Sequence, residues 1–134
     1  MPPITPVDAP LAGPIGKRRW AIAEGYIPDG STGEGPEFES HETLCILNAG
    51  EQPARVRVTL FFADRDPAGP YGIDVPPRRT VHVRFNHFEN PPVPRGLTYA
   101  SVVESDVPIV CQHTRLDSRQ AELALLSTIA FSEG

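Results

Sequence analysis

Apolar and polar residues alternate along much of this chain with a period of two. The clearest case is the segment 79–85, where Val81, Val83 and Phe85 alternate with His82 and Arg84. Because successive side chains of a β-strand point to opposite faces of the sheet, the pattern predicts a strand with one polar face. The segment 55–62 alternates in the same way before it becomes wholly apolar, so one end of that strand is predicted to face water.

Other predicted strands are separated by turns rich in proline, glycine and asparagine. The segment 43–47 is an uninterrupted apolar run, which is typical of a strand covered on both faces. A turn is predicted at 66–70. In all, about eight strands are predicted, at residues 20–23, 43–47, 55–62, 71–75, 79–85, 98–105, 108–116 and 123–131.

The C-terminal third carries two more specific predictions. Strands 98–105 and 108–116 are predicted to pair as a hairpin around residues 106–107, since Pro108 suits the first position of a strand. Asp117 and Gln120 have the spacing of a helix N-cap and its partner, so a turn is expected at 117–121. Beyond it, the odd-numbered apolar residues favour a strand; they are Leu123, Leu125, Ile129 and Phe131.

Composition narrows the fold class. The 134 residues include 16 prolines and 11 glycines, which favours many short segments joined by turns. Together with the alternation, this predicts an all-β protein, an antiparallel β-sandwich with about eight strands. Residues 1–17 hold five of the prolines and are predicted to be a flexible tail, which leaves residues 18–134 as the single domain.

Charge and cysteine content limit the class of protein. The net charge of −5 disfavours nucleic acid as a partner, because DNA-binding domains usually carry a basic surface. Cys45 and Cys111 lie in apolar runs and are expected to behave as small buried hydrophobes. With no secretion signal and no long apolar run, we expect a soluble, cytoplasmic protein.

Searches for catalytic motifs give little. No Gly-x-Ser-x-Gly or phosphate-binding loop is present, and Cys111 and His113 on one strand would lie about 7 Å apart, too far for a thiol–imidazole hydrogen bond. An alternative places a metal between His82 and His113, with Glu24 or Asp117 as an oxygen ligand. No His-x-His pair supports it. We therefore predict no metal, no cofactor and no enzymatic activity.

Polar residues are concentrated where two of the strands end. Arginine binds carboxylates and phosphates through two parallel hydrogen bonds, so these clusters are candidates for recognition of an anion, a sugar or a protein. The alternative is a solvated sheet edge with salt-bridged arginines. The candidate ligand- or partner-binding residues are Glu24, His41, Arg79, His82, Arg84, His113, Arg115, Asp117, Arg119 and Gln120.

Long blocks of the sequence resemble one known family. The blocks WAIAEGYIP, SHETLCILNAG, PRRTVHVRFN, VPIVCQHTRLDSRQAE and LALLSTIAF are similar, in order and spacing, to the microbial sensory rhodopsin transducer family. The resemblance spans about residues 19–132. It implies a small soluble, jelly-roll-like β-sandwich that assembles as a homotetramer and that carries no retinal.

The resemblance also implies a function. Family members are regarded as cytoplasmic partners of a membrane-bound sensory rhodopsin, contacted through protein and not through lipid. The leading hypothesis is therefore a non-enzymatic signal transducer that acts through protein–protein contacts. The alternatives are a sensor that binds a small sugar or anion and a DNA-binding regulator, of which the latter is disfavoured by the net charge.

Overall fold

Strands account for nearly all the regular structure of the computed structural model, which describes residues 2–120 and 122–133. The all-β class is confirmed. Two single turns of 3-10 helix, η1 (Pro36–Phe38) and η2 (Phe85–His87), interrupt the strands. The strands are β1 (Lys17–Tyr26), β2 (His41–Asn48), β3 (Ala54–Phe62), β4 (Ala68–Val75), β5 (Arg79–Arg84), β6 (Thr98–Asp117), β7 (Ala124–Ile129) and β8 (Phe131–Glu133).

The strands form the two layers of an antiparallel β-sandwich. The first sheet has the order β4-β3-β6-β1-β8, and in the second β2 lies between β5 and β6, with β7 on the far side of β6. Strand β6 belongs to both sheets. Its residues 98–105 pair with β1 and β3, and its residues 110–117 pair with β2 and β7. The predicted sandwich is therefore confirmed, with its layers joined through one long strand.

The predicted hairpin at 98–116 is wrong. The chain does not turn at residues 106–107 but runs straight on through 20 residues of β6. Pro108 lies where β6 leaves the first sheet for the second, between Ser105, which pairs with β3, and Val110, which pairs with β2. At such a junction a missing N–H removes little from either ladder, so proline marks a change of sheet and not a turn.

The core lies between the two sheets. Leu44 and Ile46 of β2 and Val56, Val58 and Leu60 of β3 are almost wholly buried in one apolar cluster. The alternate positions of the buried residues in β3 show why the period of two predicted that strand correctly. Burial of such side chains contributes about 1.5–3 kcal/mol each to folding, relative to leaving them exposed.

Three local predictions differ from the structure. The apolar run 43–47 is not covered on both faces: Leu44 and Ile46 are buried, but Leu47 is 37% exposed. The predicted turn at 66–70 overlaps the start of β4 at Ala68. Strand β5 ends at Arg84, where η2 begins. In each case the residue types were read correctly but the boundary or the covered face was not.

The C-terminal segment also departs from expectation. Asp117 is the last residue of β6, not a helix cap, and its carboxylate accepts a hydrogen bond from the backbone N–H of Arg119 at 3.1 Å. Ala121, the end of the predicted turn, lies outside the described residues. The predicted strand 123–131 is two strands, β7 and β8, separated by the buried Ala130. Its apolar side chains are exposed.

Strand β1 begins at Lys17, and residues 2–16 form no helix or strand. The division into a tail and a domain at residue 18 stays a prediction. Among the residues that the structure describes, no helix is long and apolar enough to cross a membrane.

Candidate functional site

A fully buried carboxylate lies at the start of β2. Glu42 shares the inward-facing parity of Leu44 and Ile46, and its side chain is 0% exposed. One carboxylate oxygen accepts hydrogen bonds from the Tyr99 hydroxyl and, at 2.6 Å, from the backbone N–H of Tyr26. The other lies 2.8 Å from His113 Nε2 and 2.8 Å from Arg115 Nε. Four donors thus replace the water that the carboxylate loses.

The donors keep this carboxylate ionised. Burial alone would raise the pKa of Glu42, but hydrogen bonds from His113 and Tyr99, the charge of His113 and the hydrogen bond from Arg115 together lower it below its ordinary value. Burial and the adjacent charge of Glu42 raise the pKa of Tyr99, so its hydroxyl stays protonated and donates.

Arg115 extends this cluster to the surface. Its side chain is 16% exposed and also forms an ion pair with the exposed Glu24. The guanidinium groups of Arg115 and Arg119 each lie 5.8 Å from the centre of the Tyr26 ring, and Arg119 pairs with Asp117. Glu24, Tyr26, Arg115, Asp117 and Arg119 are called the polar face below.

A second set of contacts holds the chain next to the polar face. The Ser118 hydroxyl donates to the Phe38 carbonyl, and the Ser118 N–H donates to the Ser40 hydroxyl at 2.9 Å. The Thr32 hydroxyl contacts the carbonyls of Ser118 and Gln120, each at 2.7 Å. The loop after β1 and the end of β6 are thereby fixed to one another.

The structure brings together half of the predicted site residues. Glu24, Arg115, Asp117 and Arg119 lie in the polar face, and His113 lies beneath it against Glu42. Of the other five, Gln120 lines a cleft beside the polar face with Asp117 and Arg119, and the rest are elsewhere: His41, Arg79, His82 and Arg84. What any of these ten residues binds stays a prediction.

The separated residues have local partners. His41 Nδ1 lies 2.6 Å from the Glu39 carbonyl, and Arg79 donates to the Arg78 carbonyl at 3.0 Å. Gln120 contributes its backbone carbonyl to Thr32. His82 and Arg84 line a different cleft, between β4 and β5.

The arrangement does not fit the metal alternative. His113 pairs across β2 with Leu44, whereas His82 pairs with Cys45, the next residue along β2. Neighbouring residues of a strand face opposite sides, so the two histidines lie on opposite faces of the second sheet. Within residues 2–120 and 122–133, no three His, Cys, Asp or Glu side chains are grouped to hold a metal ion.

The two cysteines are poorly suited to nucleophilic chemistry. Burial, with a smaller effect from Cys45, raises the pKa of Cys111 to about 12. Burial also raises the pKa of Cys45, partly offset by a hydrogen bond with Thr114. Both are thiols at neutral pH, whereas the reactive species is the thiolate.

Sequence reasoning missed Glu42, Tyr26 and Tyr99. A signal for Glu42 was present, because it occupies the same parity as Leu44, Ile46 and Asn48 on a strand whose alternate residues are buried. A charged residue on the buried face of a strand needs partners, which points to a structured polar cluster. The two tyrosines carried no such signal.

A sequence profile of the family described as "Anabaena sensory rhodopsin transducer" matches residues 15–132. The chain belongs to this family. The match includes every residue of the polar face and the whole of both sheets except Glu133. The resemblance noted from the sequence blocks is confirmed.

Two solved structures are similar to most of this chain. The Anabaena sensory rhodopsin transducer is 54% identical, with a TM-score of 0.68 over 77% of this chain and 98% of that one. A protein titled "Crystal Structure of Thermotoga maritima 1070" is 35% identical, with a TM-score of 0.80 over 88% of this chain and 96% of that one. No protein with a curated description matches the chain significantly.

The buried and exposed carboxylates of this transducer-family protein give a matched pair of variants. Glu42→Gln is expected to lower the free energy of unfolding by about 3–5 kcal/mol, because Arg115 loses its buried counter-charge. Glu24→Gln removes the exposed partner of the same Arg115 and should cost less than about 1 kcal/mol. Urea unfolding at neutral pH measures both. If both variants lose the same free energy of unfolding, burial of Glu42 does not control its contribution to stability.

Acid should remove the contribution of Glu42. Its pKa is lower in the folded protein than in the unfolded chain, where it returns to its ordinary value of 4.5. The stabilisation is therefore fully present above about pH 4.5 and is lost as the pH falls through the folded-state pKa. Urea unfolding of the wild type and of Glu42→Gln from about pH 7 to about pH 3 should show the difference between them shrinking. A difference in unfolding free energy that stays constant with pH would contradict the assignment of this stabilisation to Glu42. The other carboxylates are the same in both proteins, so their titration cancels in the comparison.

Proposed function

We propose that this protein is a non-enzymatic, cytoplasmic signal transducer that binds a microbial sensory rhodopsin through protein–protein contacts. The observation that carries the proposal is the polar face, fixed to the buried Glu42 through Arg115. The 54% identity to the Anabaena sensory rhodopsin transducer supports the choice of partner.

The polar face has the composition and rigidity of a protein-binding surface. Tyrosine and arginine are enriched among the residues that contribute most to protein interfaces. Here Tyr26 is flanked by two guanidinium groups, and Arg115 is held by two carboxylates. Because these side chains are already ordered, a partner that binds them loses little conformational entropy. Arg119, at 47% exposure, remains accessible.

A second surface supports self-association. Five apolar side chains of the C-terminal segment, 47–70% exposed, form what is called the apolar strip: Leu123, Leu125, Leu126, Ile129 and Phe131. Large apolar side chains that are exposed together in one segment often mark a protein-contact site. The strip includes β7 and β8, which lie at the edges of the second and first sheets. We assign it to contacts between copies of this chain, as in the homotetramer implied by the family resemblance.

Reversing a charge on the polar face should weaken binding of the rhodopsin. Arg119→Glu is expected to raise the Kd by about tenfold or more. It replaces the guanidinium that pairs with Asp117 by a second carboxylate, so the charge that the partner meets is reversed. Arg57→Glu, on the exposed face of β3, is the control and should leave the Kd unchanged. Calorimetric titration of the wild type and the two variants against a sensory rhodopsin in nanodiscs measures the three Kd values.

Two results would count against this proposal. If wild-type protein gives no binding heat with the rhodopsin, the partner is wrong. If Arg57→Glu weakens binding as much as Arg119→Glu does, the effect is one of overall charge and the polar face is not the contact surface.

A charge in the apolar strip should prevent assembly. Leu125→Glu is expected to convert the oligomer to monomer, because the side chain is 70% exposed in one chain but would be buried between chains. Light scattering after size-exclusion chromatography measures the mass. Ile4→Glu, at an exposed position outside the strip, is the control. A wild-type monomer, or an oligomer that survives Leu125→Glu, would contradict this assignment.

A further inference from the structure

A cleft of about 520 Å³ opens between β4 and β5, away from the polar face. These two strands are the edges of the two sheets on the same side of the sandwich, and the connection that follows β5 forms the third wall. Clefts of about 300–1,000 Å³ are the usual size for small-molecule sites. The cleft contributes nothing to the contacts of Glu42 or to the apolar strip.

The interior of the cleft is apolar and partly aromatic. Phe88 is buried, and the ring of Tyr71 packs on it with centroids 4.8 Å apart. Ile73 and Val83 are half-buried beside them. The Tyr71 hydroxyl donates to the Pro91 carbonyl at 2.7 Å, which fixes the ring in place. This lining suits a flat, apolar ring better than a flexible or strongly hydrated group.

The cleft is lined by one arginine, Arg84, which forms no ion pair with a described residue. Of the arginines, only Arg84 and Arg115 are half-buried, and Arg115 has two carboxylates. For Arg84, no carboxylate of the described residues lies within 4.0 Å, although Glu89 also lines the cleft. Among the described residues, its side chain donates one hydrogen bond, from a terminal nitrogen to the Pro36 carbonyl at 3.0 Å.

The remaining N–H groups of Arg84 can therefore bind an anion. The Arg84 residue is half-buried, its guanidinium hydrogen bond lies on the exposed side of the cleft, and its planar array of donors matches a carboxylate. His82 and His87 line the same cleft and add ring N–H donors. The combination of an apolar aromatic interior with these three donors distinguishes the site from a surface that binds neutral sugars.

We propose that the β4–β5 cleft binds a small aromatic carboxylate. The ring packs against Tyr71, Phe88 and Val83, and the carboxylate accepts hydrogen bonds from Arg84. This gives the protein a ligand site separate from the surface proposed for the rhodopsin.

The proposal is tested by titrating indole-3-carboxylate into ¹⁵N-labelled full-length protein and recording amide chemical shifts. The shifts are expected to change at Tyr71, Val83 and Phe88 and not in the polar face. Arg84→Gln should raise the Kd by about tenfold or more, as loss of a charged hydrogen-bonding partner does. Arg57→Gln should leave it unchanged. Indole-3-carboxamide, which keeps the ring but has no charge, should bind about tenfold more weakly or worse.

Several results would overturn the proposal. They are the absence of shifts in the cleft, equal affinity for the carboxamide, shifts confined to the polar face, or shifts produced by maltose and not by the carboxylate. If Arg84→Gln fails to fold, the exposed His82→Gln replaces it and should weaken binding several-fold; unchanged affinity would then contradict the site. Arg84→Gln that folds should bind the sensory rhodopsin as the wild type does, so failure of one proposal is distinguishable from failure of the other.

Discussion

The carboxylate of Glu42 is the point at which the two sheets and the polar face meet. It belongs to β2 in the second sheet, but it accepts hydrogen bonds from Tyr99 and Tyr26 of the first sheet as well as contacting His113 and Arg115 of the second. Removing a charge from water costs several kcal/mol, which only a complete set of donors can offset. The positions of these donors are therefore constrained together.

This constraint reaches the surface through one side chain. Arg115 has its Nε on the buried Glu42 and a terminal nitrogen on the exposed Glu24, so its guanidinium plane has little freedom. Tyr26 is held by its backbone N–H on the same carboxylate while its ring packs between two arginines. The geometry that a partner would meet is thus set by an interaction that the partner cannot reach.

The sequence predicted the strands well where one face is buried and one exposed, as in β3 and β5, because burial follows the same period as the side chains. It predicted eight strands, as observed, but only because one long strand was divided in two while β7 and β8 were taken as one. Pro108 caused the first error. A proline inside a strand is ordinarily evidence of a turn, and its placement between two sheets is visible only in three dimensions.

The candidate site was predicted in part for a similar reason. His113, Arg115 and Asp117 share the parity of one regular strand, so their grouping followed from spacing. Tyr99 lies 14 residues before His113 on β6, and it joins the site only because β6 crosses from one sheet to the other past Glu42. His82 and Arg84 lie apart from the polar face because β2 separates β5 from β6. The apolar side chains of β7 identified a strand, but their alternation did not show that they lie exposed at the edge of a sheet.

A strand shared by both layers also determines how the molecule comes apart. In a sandwich whose sheets are joined only by loops, one layer can open while the other keeps its pairing. Here β6 is an inner strand of both sheets, so its removal breaks four of the seven strand pairings of the described residues. We therefore expect the sandwich to lose its structure in a single cooperative transition, with no stable half-folded species between.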